Sequence, residues 1–358
     1  MTTTLLLYGG VLVVGSAATW FGSVRLERAA GYLSRHYRLP ALVQGTLVVA
    51  VASSLPELST VVVSALVHGD FELGMASIVG SAIFNILVIP GISSLVGDGG
   101  LRAQLRLVYR DAQFYLTAVA VLLLTFSFAI IYEPVEGETL TGVLTRLPAA
   151  VPLLLYVLYL FLQQQEVADS RNHEAAEAVD GSSGIETPSA SDAFQGPLRA
   201  WIDLVLGVVL IIGGVEGLLR VAIGLGDLLA TPSFLWGATV VAAATSVPDA
   251  IISFRSADRD EGDISIGNVL GSNLFDLLVA IPAGILVTGA AVIDYRVAAP
   301  LMGFLTLATV VLFTVLRTDL ALERLEGWIL LALYLTFVLW LGLETAGVTT
   351  VLGAVVTG

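Results

Sequence analysis

Two pairs of short segments place carboxylates, hydroxyls and an amide inside otherwise apolar sequence. Residues 50–60 read AVASSLPELST and residues 242–252 read AAATSVPDAII. Each is followed about two dozen residues later by a second matched stretch, VGSAIFNIL at 79–87 and LGSNLFDLL at 270–278. An acidic side chain in hydrocarbon costs roughly 2.5–3.5 kcal/mol on insertion scales, so such groups mark ion or proton pathways by default. The candidate ligands are the carboxylates Glu57, Asp249 and Asp276, the amide Asn85, and the hydroxyl residues Ser53, Ser54, Ser81, Thr245, Ser246 and Ser272. All are oxygen donors. His36, His68 and His173 fall in expected loops and read as solvated. Hard oxygen ligands suit Ca²⁺, Mg²⁺, Mn²⁺ or Na⁺ rather than Zn²⁺ or Cu²⁺, and flexible carbonyl-rich coordination favours Ca²⁺ over Mg²⁺.

Pro56 and Pro248 explain how backbone oxygens could join these ligands. Proline removes a helical hydrogen bond and crowds the carbonyl four residues back, here that of Ala52 or Ala244. The helix is therefore expected to open around Ser53 and Thr245. Irregular backbone at membrane depth is tolerated only where it is buried in protein or lines a cavity. In the partner stretches, Ser81 and Asn85 are four residues apart and share a helix face, as do Ser272 and Asp276. Gly80 and Gly271 would let neighbouring backbones approach closely.

The elements that must position these residues are transmembrane helices. Of the 358 residues, 56% are hydrophobic and only 13% charged, with a mean hydropathy of +0.91. Apolar runs long enough to cross a bilayer recur along the chain. Ten spans are expected, at about 4–21, 41–67, 73–96, 113–132, 147–162, 201–222, 233–254, 264–289, 297–316 and 328–345. The first charge is Arg25, so no basic leader precedes the first span and that span is expected to be retained. Cysteine is absent, which excludes disulfides and thiolate metal sites. Net charge is −14, and all 16 basic residues are arginine. A lysine-free acidic surface suggests a halophilic source. It gives no sign of nucleic-acid binding.

Residues 163–198 hold seven acids and one arginine and read as a flexible cytoplasmic linker. They divide the chain into a first repeat (1–162, signature 43–90) and a second (199–358, signature 236–282). Gly45 matches Gly237, Ser53 matches Thr245, Ser54 matches Ser246, Pro56 matches Pro248 and Glu57 matches Asp249. After a one-residue adjustment, Gly80, Ser81, Phe84 and Asn85 match Gly271, Ser272, Phe275 and Asp276. Five spans per half turn the second copy upside down, and the two signatures should meet near the midplane. Placing the N-terminus outside leaves 13 of the 16 arginines on the inner side. Both termini are then expected outside in a multi-pass cell-membrane protein whose partner is the lipid bilayer, with no obligatory protein partner evident.

At the doubled motif the chain resembles the cation/calcium antiporter superfamily, specifically the prokaryotic sodium/calcium exchangers. The resemblance implies an all-α integral membrane fold of ten helices in a 5+5 inverted repeat. It implies electrogenic exchange of Na⁺ for Ca²⁺ by alternating access, with no enzyme activity and no cofactor. Glu57 and Asp249 would hold calcium with carbonyls near Ser53 and Thr245. Sodium would be held by these groups with Ser54, Ser81, Ser246, Ser272 and carbonyls near Ala50 and Ala242. Asn85 and Asp276 would line the centre, while the first and sixth helices slide across the core. Asp249 stands where glutamate is usual, and Ala76, Ser77 and Ala82 replace the family's Gly-Asn and Asn in the first repeat. Gly267, Asn268 and Asn273 keep that pattern in the second.

Two alternatives remain from the residues alone. A calcium/proton or potassium-dependent exchanger would use the same ligands. An intramembrane aspartyl protease is suggested by GLGD at 224–227, which would require Asp227 and a second facing aspartate.

Overall fold

The protein is described by a computed structural model covering residues 2–39, 50–96, 101–102, 110–177, 196–259, 261–346, 348–349 and 351–352. The apolar runs form helices because a backbone in hydrocarbon must satisfy its own hydrogen bonds. Helices α1 (Thr2–His36), α2 (Ala50–Ser53), α3 (Leu55–Val67), α4 (Phe71–Val96), α5 (Ala112–Tyr132) and α6 (Arg146–Glu177) make the first half. The second half holds α7 (Pro197–Leu229), α8 (Ser233–Trp236), α9 (Ala242–Thr245), α10 (Val247–Asp258), α11 (Gly262–Phe275), α12 (Ile281–Thr288), α13 (Tyr295–Asp319) and α14 (Arg324–Thr345). Among the described residues eight helices are long and apolar enough to cross a membrane, and the bent pair Ser233–Thr245 and Val247–Asp258 makes a ninth. The span expected at 41–67 is described only from Ala50, as α2 and α3; residues 41–49 lie outside the described residues.

Several helices outrun their expected ends. α1 continues through Arg25, Glu27 and Arg28 to His36, and α6 continues to Glu177, past the expected linker start at 163. Charge ends an apolar run, but Arg, Glu and Gln are good helix formers, so the helix goes on into the polar zone. His36 and His173 thus sit on helices rather than in loops. Residues 178–195 of the expected linker lie outside the described residues.

The centre of the molecule is built from α4 and the α11–α12 span. Of their most apolar windows, 89% and 78% of residues are buried, against 17% for α1 and α6. The polar residues of the second stretch of each signature, Ser81, Asn85, Ser272 and Asp276, therefore lie in the two most enclosed spans. α1 and α7 pack along each other in antiparallel register. A Cβ on Gly22 would lie 2.8 Å from the Gly207 carbonyl, and one on Gly214 would lie 2.7 Å from that of Gly15. Glycine at this seven-residue spacing lets the two backbones touch.

Four short strands, absent from the sequence expectation, tie the halves together. β1 (Leu101–Arg102) pairs antiparallel with β4 (Ala321–Leu322), and β2 (Thr141–Thr145) pairs with β3 (Ala290–Asp294). β1 follows α4 and β4 precedes α14, whereas β2 precedes α6 and β3 follows α12. Paired strands lie on one face of the membrane. Each sheet thus joins the third-to-fourth connection of one half to the fourth-to-fifth connection of the other, as an upside-down duplicate requires.

Candidate ion-binding site

Both signature helices break, and they break at serine. Ser54 interrupts α2 and α3, and Ser246 interrupts α9 and α10, where the axis bends by 47°. The interruption falls one residue later than expected from the sequence. Pro56 and Pro248 occupy the first turn of the following helix, where the missing N–H costs nothing. Glu57 and Asp249 stand in the same first turns, at the positive end of the helix dipole. Two π-helical turns add further irregular backbone, at Gly237–Val241 and Asp276–Ala280. Such turns recur at functional sites. The first presses on α4, where a Cβ on Gly80 would collide with the Ala238 carbonyl. For Gly271 the matching neighbour around Gly45 lies outside the described residues.

The two halves meet through their signature residues. Ser81 Oγ lies 2.8 Å from Ser246 Oγ, and Ser54 Oγ lies 3.2 Å from Ser272 Oγ. Each serine of one repeat thus touches its counterpart helix in the other. Ser272 Oγ donates to Asp249 Oδ2 at 2.7 Å, and Asn85 Nδ2 donates to the same oxygen at 3.3 Å. Ser246 Oγ is 2.8 Å from the Ala242 carbonyl, and Thr245 Oγ1 is 3.2 Å from the carbonyls of both Val241 and Ala242. Glu57 lies beside Thr245 and within Coulomb range of Asp249 and Asp276. Ser53 ends α2, half-buried, and Ala50 begins it.

Ser54, Glu57, Ser81, Asn85, Thr245, Ser246, Asp249 and Asp276 are each no more than 2% exposed. Within this enclosure Glu57 Oε1, Asn85 Oδ1, Asp249 Oδ1 and both carboxylate oxygens of Asp276 have no hydrogen-bond donor. Buried acceptors are paired in nearly all folded proteins, so five orphans in one cluster call for a missing positive partner. Among the described residues no three acidic or histidine side chains converge on one point. A bound cation would therefore draw on hydroxyls, amides and carbonyls as well as carboxylates.

These features have a family. The sodium/calcium exchanger protein family matches residues 7–164 and 199–343, most of the chain and both signature repeats. The chain belongs to that family. The exchanger is 27% identical to the inner membrane protein YrbG of Escherichia coli (strain K12), over 79% of its own length and 81% of that protein's. It is 26% identical to the putative antiporter CaxA of Alkalimonas amylolytica (94% and 97%) and 23% identical to the sodium/calcium exchanger MaX1 of Methanosarcina acetivorans (91% and 96%). A solved structure of the sodium-calcium exchanger NCX_Mj superposes with a TM-score of 0.56 at 22% identity, covering 93% of this chain and 98% of that one. The exchanger is accordingly a multi-pass membrane cation/calcium antiporter with the fold of that structure. It is a transporter and not an enzyme. Asp227, the residue of the protease alternative, is exposed near the end of α7 and apart from the buried cluster.

Three residues outside the expected site make buried or part-buried polar contacts. Asn273 Oδ1 accepts from Asn85 Nδ2 at 3.0 Å, and Asn273 Nδ2 donates to Tyr115 Oη at 3.1 Å. Asn273, adjoining Ser272 in an apolar helix, offered a sequence signal; Tyr115, on a separate helix, offered none. The third is His68. It lies, as expected, in the bend that follows α3, but it is part-buried rather than solvated: it bonds Glu216 on α7 at 2.8 Å, and Glu216 also holds Arg220 at 2.6 Å. Glu216 thus ties α7, the candidate moving helix, to the end of α3.

Proposed function

We propose that the protein exchanges Na⁺ for Ca²⁺ across the membrane, electrogenically and by alternating access. The observation that carries this reading is the set of five buried, donor-less oxygens on Glu57, Asn85, Asp249 and Asp276. Glu57 and Asp249 hold calcium with carbonyls of the broken helices near Ser53 and Thr245. Sodium is held by the same groups with Ser54, Ser81, Ser246 and Ser272 and with carbonyls near Ala50 and Ala242. Three ionised carboxylates without a counter-charge are very costly in low dielectric. The empty protein therefore rarely switches sides, which makes exchange obligatory. A full set of monovalent ions carries more charge than one divalent ion, so turnover moves net charge. The glycine-lined α1–α7 pair slides as one body over the enclosed core. Both termini lie outside, and the segment between the halves lies in the cytoplasm.

One observation favours a second reading, calcium/proton exchange. Neither oxygen of Asp276 has a donor, and such a carboxyl is suited to carry a proton when no cation is near. The ion gradient that drives transport separates the two. Purified protein is reconstituted into sodium-loaded vesicles and diluted into sodium-free medium containing radiocalcium. The expected result is sodium-dependent calcium uptake, accelerated by an inside-positive potential and abolished by Glu57→Gln. Uptake driven by a proton gradient alone would select the second reading, and full activity of Glu57→Gln would remove that residue from the site.

A further inference from the structure

The two repeats differ at one polar position behind the site. Asn273 in the second repeat corresponds to Ala82 in the first. Asn273 Nδ2 donates to the backbone carbonyl of that same Ala82 at 3.1 Å and to Tyr115 Oη at 3.1 Å. A backbone carbonyl can only accept, so the amide group facing it is the NH₂. Both of its hydrogens are then used, and Asn273 Oδ1 must face the other way. There it accepts from Asn85 Nδ2 at 3.0 Å. Asn85 spends its remaining hydrogen on Asp249 Oδ2 at 3.3 Å, which leaves Asn85 Oδ1 without a partner. Beyond Tyr115 stands Thr309 on α13, whose Oγ1 donates to the Leu305 carbonyl at 2.6 Å. Asn85, Tyr115, Asn273 and Thr309 are all fully buried, so water does not compete for these bonds.

From this geometry we infer that Tyr115 and Asn273 are positioning residues that set the amide orientation of Asn85, so that the central cation meets a carbonyl oxygen and never an NH₂. The inference rests on the proposed cation site and adds to it a scaffold from α5 and α13. A flipped Asn85 would present two N–H donors to a cation, turning an attractive ligand into a repulsive one. Asp276, the counterpart of Asn85, has no hydrogen-bond donor on either oxygen, and a carboxylate needs no orienting amide because both its oxygens are equivalent. The departure from pattern at Ala82 thus coincides with the half in which the guided group is an amide.

Equilibrium radiocalcium binding to the purified protein tests this without relying on any counter-ion. Removal of groups that orient metal ligands typically weakens binding ~10–100-fold. Asn273→Leu should lower calcium affinity ~10-fold, and Tyr115→Phe should lower it less. The deciding measurement is the double variant. In an Asn85→Ala background, Tyr115→Phe and Asn273→Leu should have no further effect on affinity, since there is no amide left to orient. Additive losses in that background, or wild-type affinity in both single variants, would overturn the inference. If Asn273→Leu fails to give a monodisperse protein, Tyr115→Phe alone and with Asn85→Ala decides the matter. Absence of calcium binding by the unaltered protein would instead defeat the proposed function.

Discussion

Glu57 and Asp249 occupy equivalent places after the two prolines, yet their surroundings differ. Asp249 Oδ2 is engaged by Ser272 and Asn85 and Glu57 stands beside Thr245, while one oxygen of each, Asp249 Oδ1 and Glu57 Oε1, has no donor. The shorter aspartate keeps one oxygen against its neighbours and offers only Oδ1 to an ion. The bond from Ser272 is charge-assisted, while Ser81 meets only another hydroxyl, that of Ser246. Ser272→Ala should therefore cost about 1.5–3 kcal/mol of calcium affinity, and Ser81→Ala about 0.5–1.5 kcal/mol. Calcium binding to the two variants at matched ionic strength checks the order, and equal losses would contradict it. The carboxylates were legible in the sequence because a charge amid apolar residues is too costly to keep without a task. Tyr115 was not, and Asn273 only as a polar neighbour of Ser272, because a neutral polar residue reveals its role only through the atoms it faces.

At the scale of elements, close backbone contact governs two interfaces. α1 and α7 touch at Gly22 and Gly207, and α4 meets the Gly237–Val241 turn at Gly80. Overpacking such contacts typically costs about 1–3 kcal/mol. Gly22→Ala and Gly80→Ala are expected to lower the thermal unfolding midpoint of the detergent-solubilised protein. Gly10→Ala, where an added Cβ meets nothing within 4 Å, should leave the midpoint unchanged or raise it, because alanine favours helix. The same midpoint in all three would show that the backbones do not approach as described. The helix breaks were foreseeable from Pro56 and Pro248, but their placement at Ser54 and Ser246 was not. Proline fixes which carbonyl loses its partner; packing decides where the bend is absorbed.

At the scale of the molecule, the two small sheets define sidedness. Because β1 pairs with β4 and β2 with β3, the connection before α14 shares a face with that after α4, and the connection before α6 shares a face with that after α12. In the proposed orientation, with the N-terminus outside, the β1–β4 face lies inside. A cysteine-free chain makes this simple to measure. Glu136→Cys, beside β2, should react with a membrane-impermeant maleimide in intact cells. Glu323→Cys, beside β4, should react only after the membrane is opened. The reverse pattern would invert the orientation, and labelling of both in intact cells would break the alternation itself.

The sequence by itself pointed to a bilayer-spanning chain of inverted duplicates and to the carboxylates and hydroxyls proposed as its ligands. Hydropathy, the doubled motif and the cost of buried charge suffice for that, since each acts through residue type and spacing alone. Tertiary structure decided the rest: which serine meets which, the antiparallel glycine contact of α1 with α7, the strand pairs across the halves, and the donor chain from Asn85 through Asn273 to Tyr115. Those depend on directions of individual bonds between segments far apart in the chain, and no periodicity along one strand of sequence encodes them.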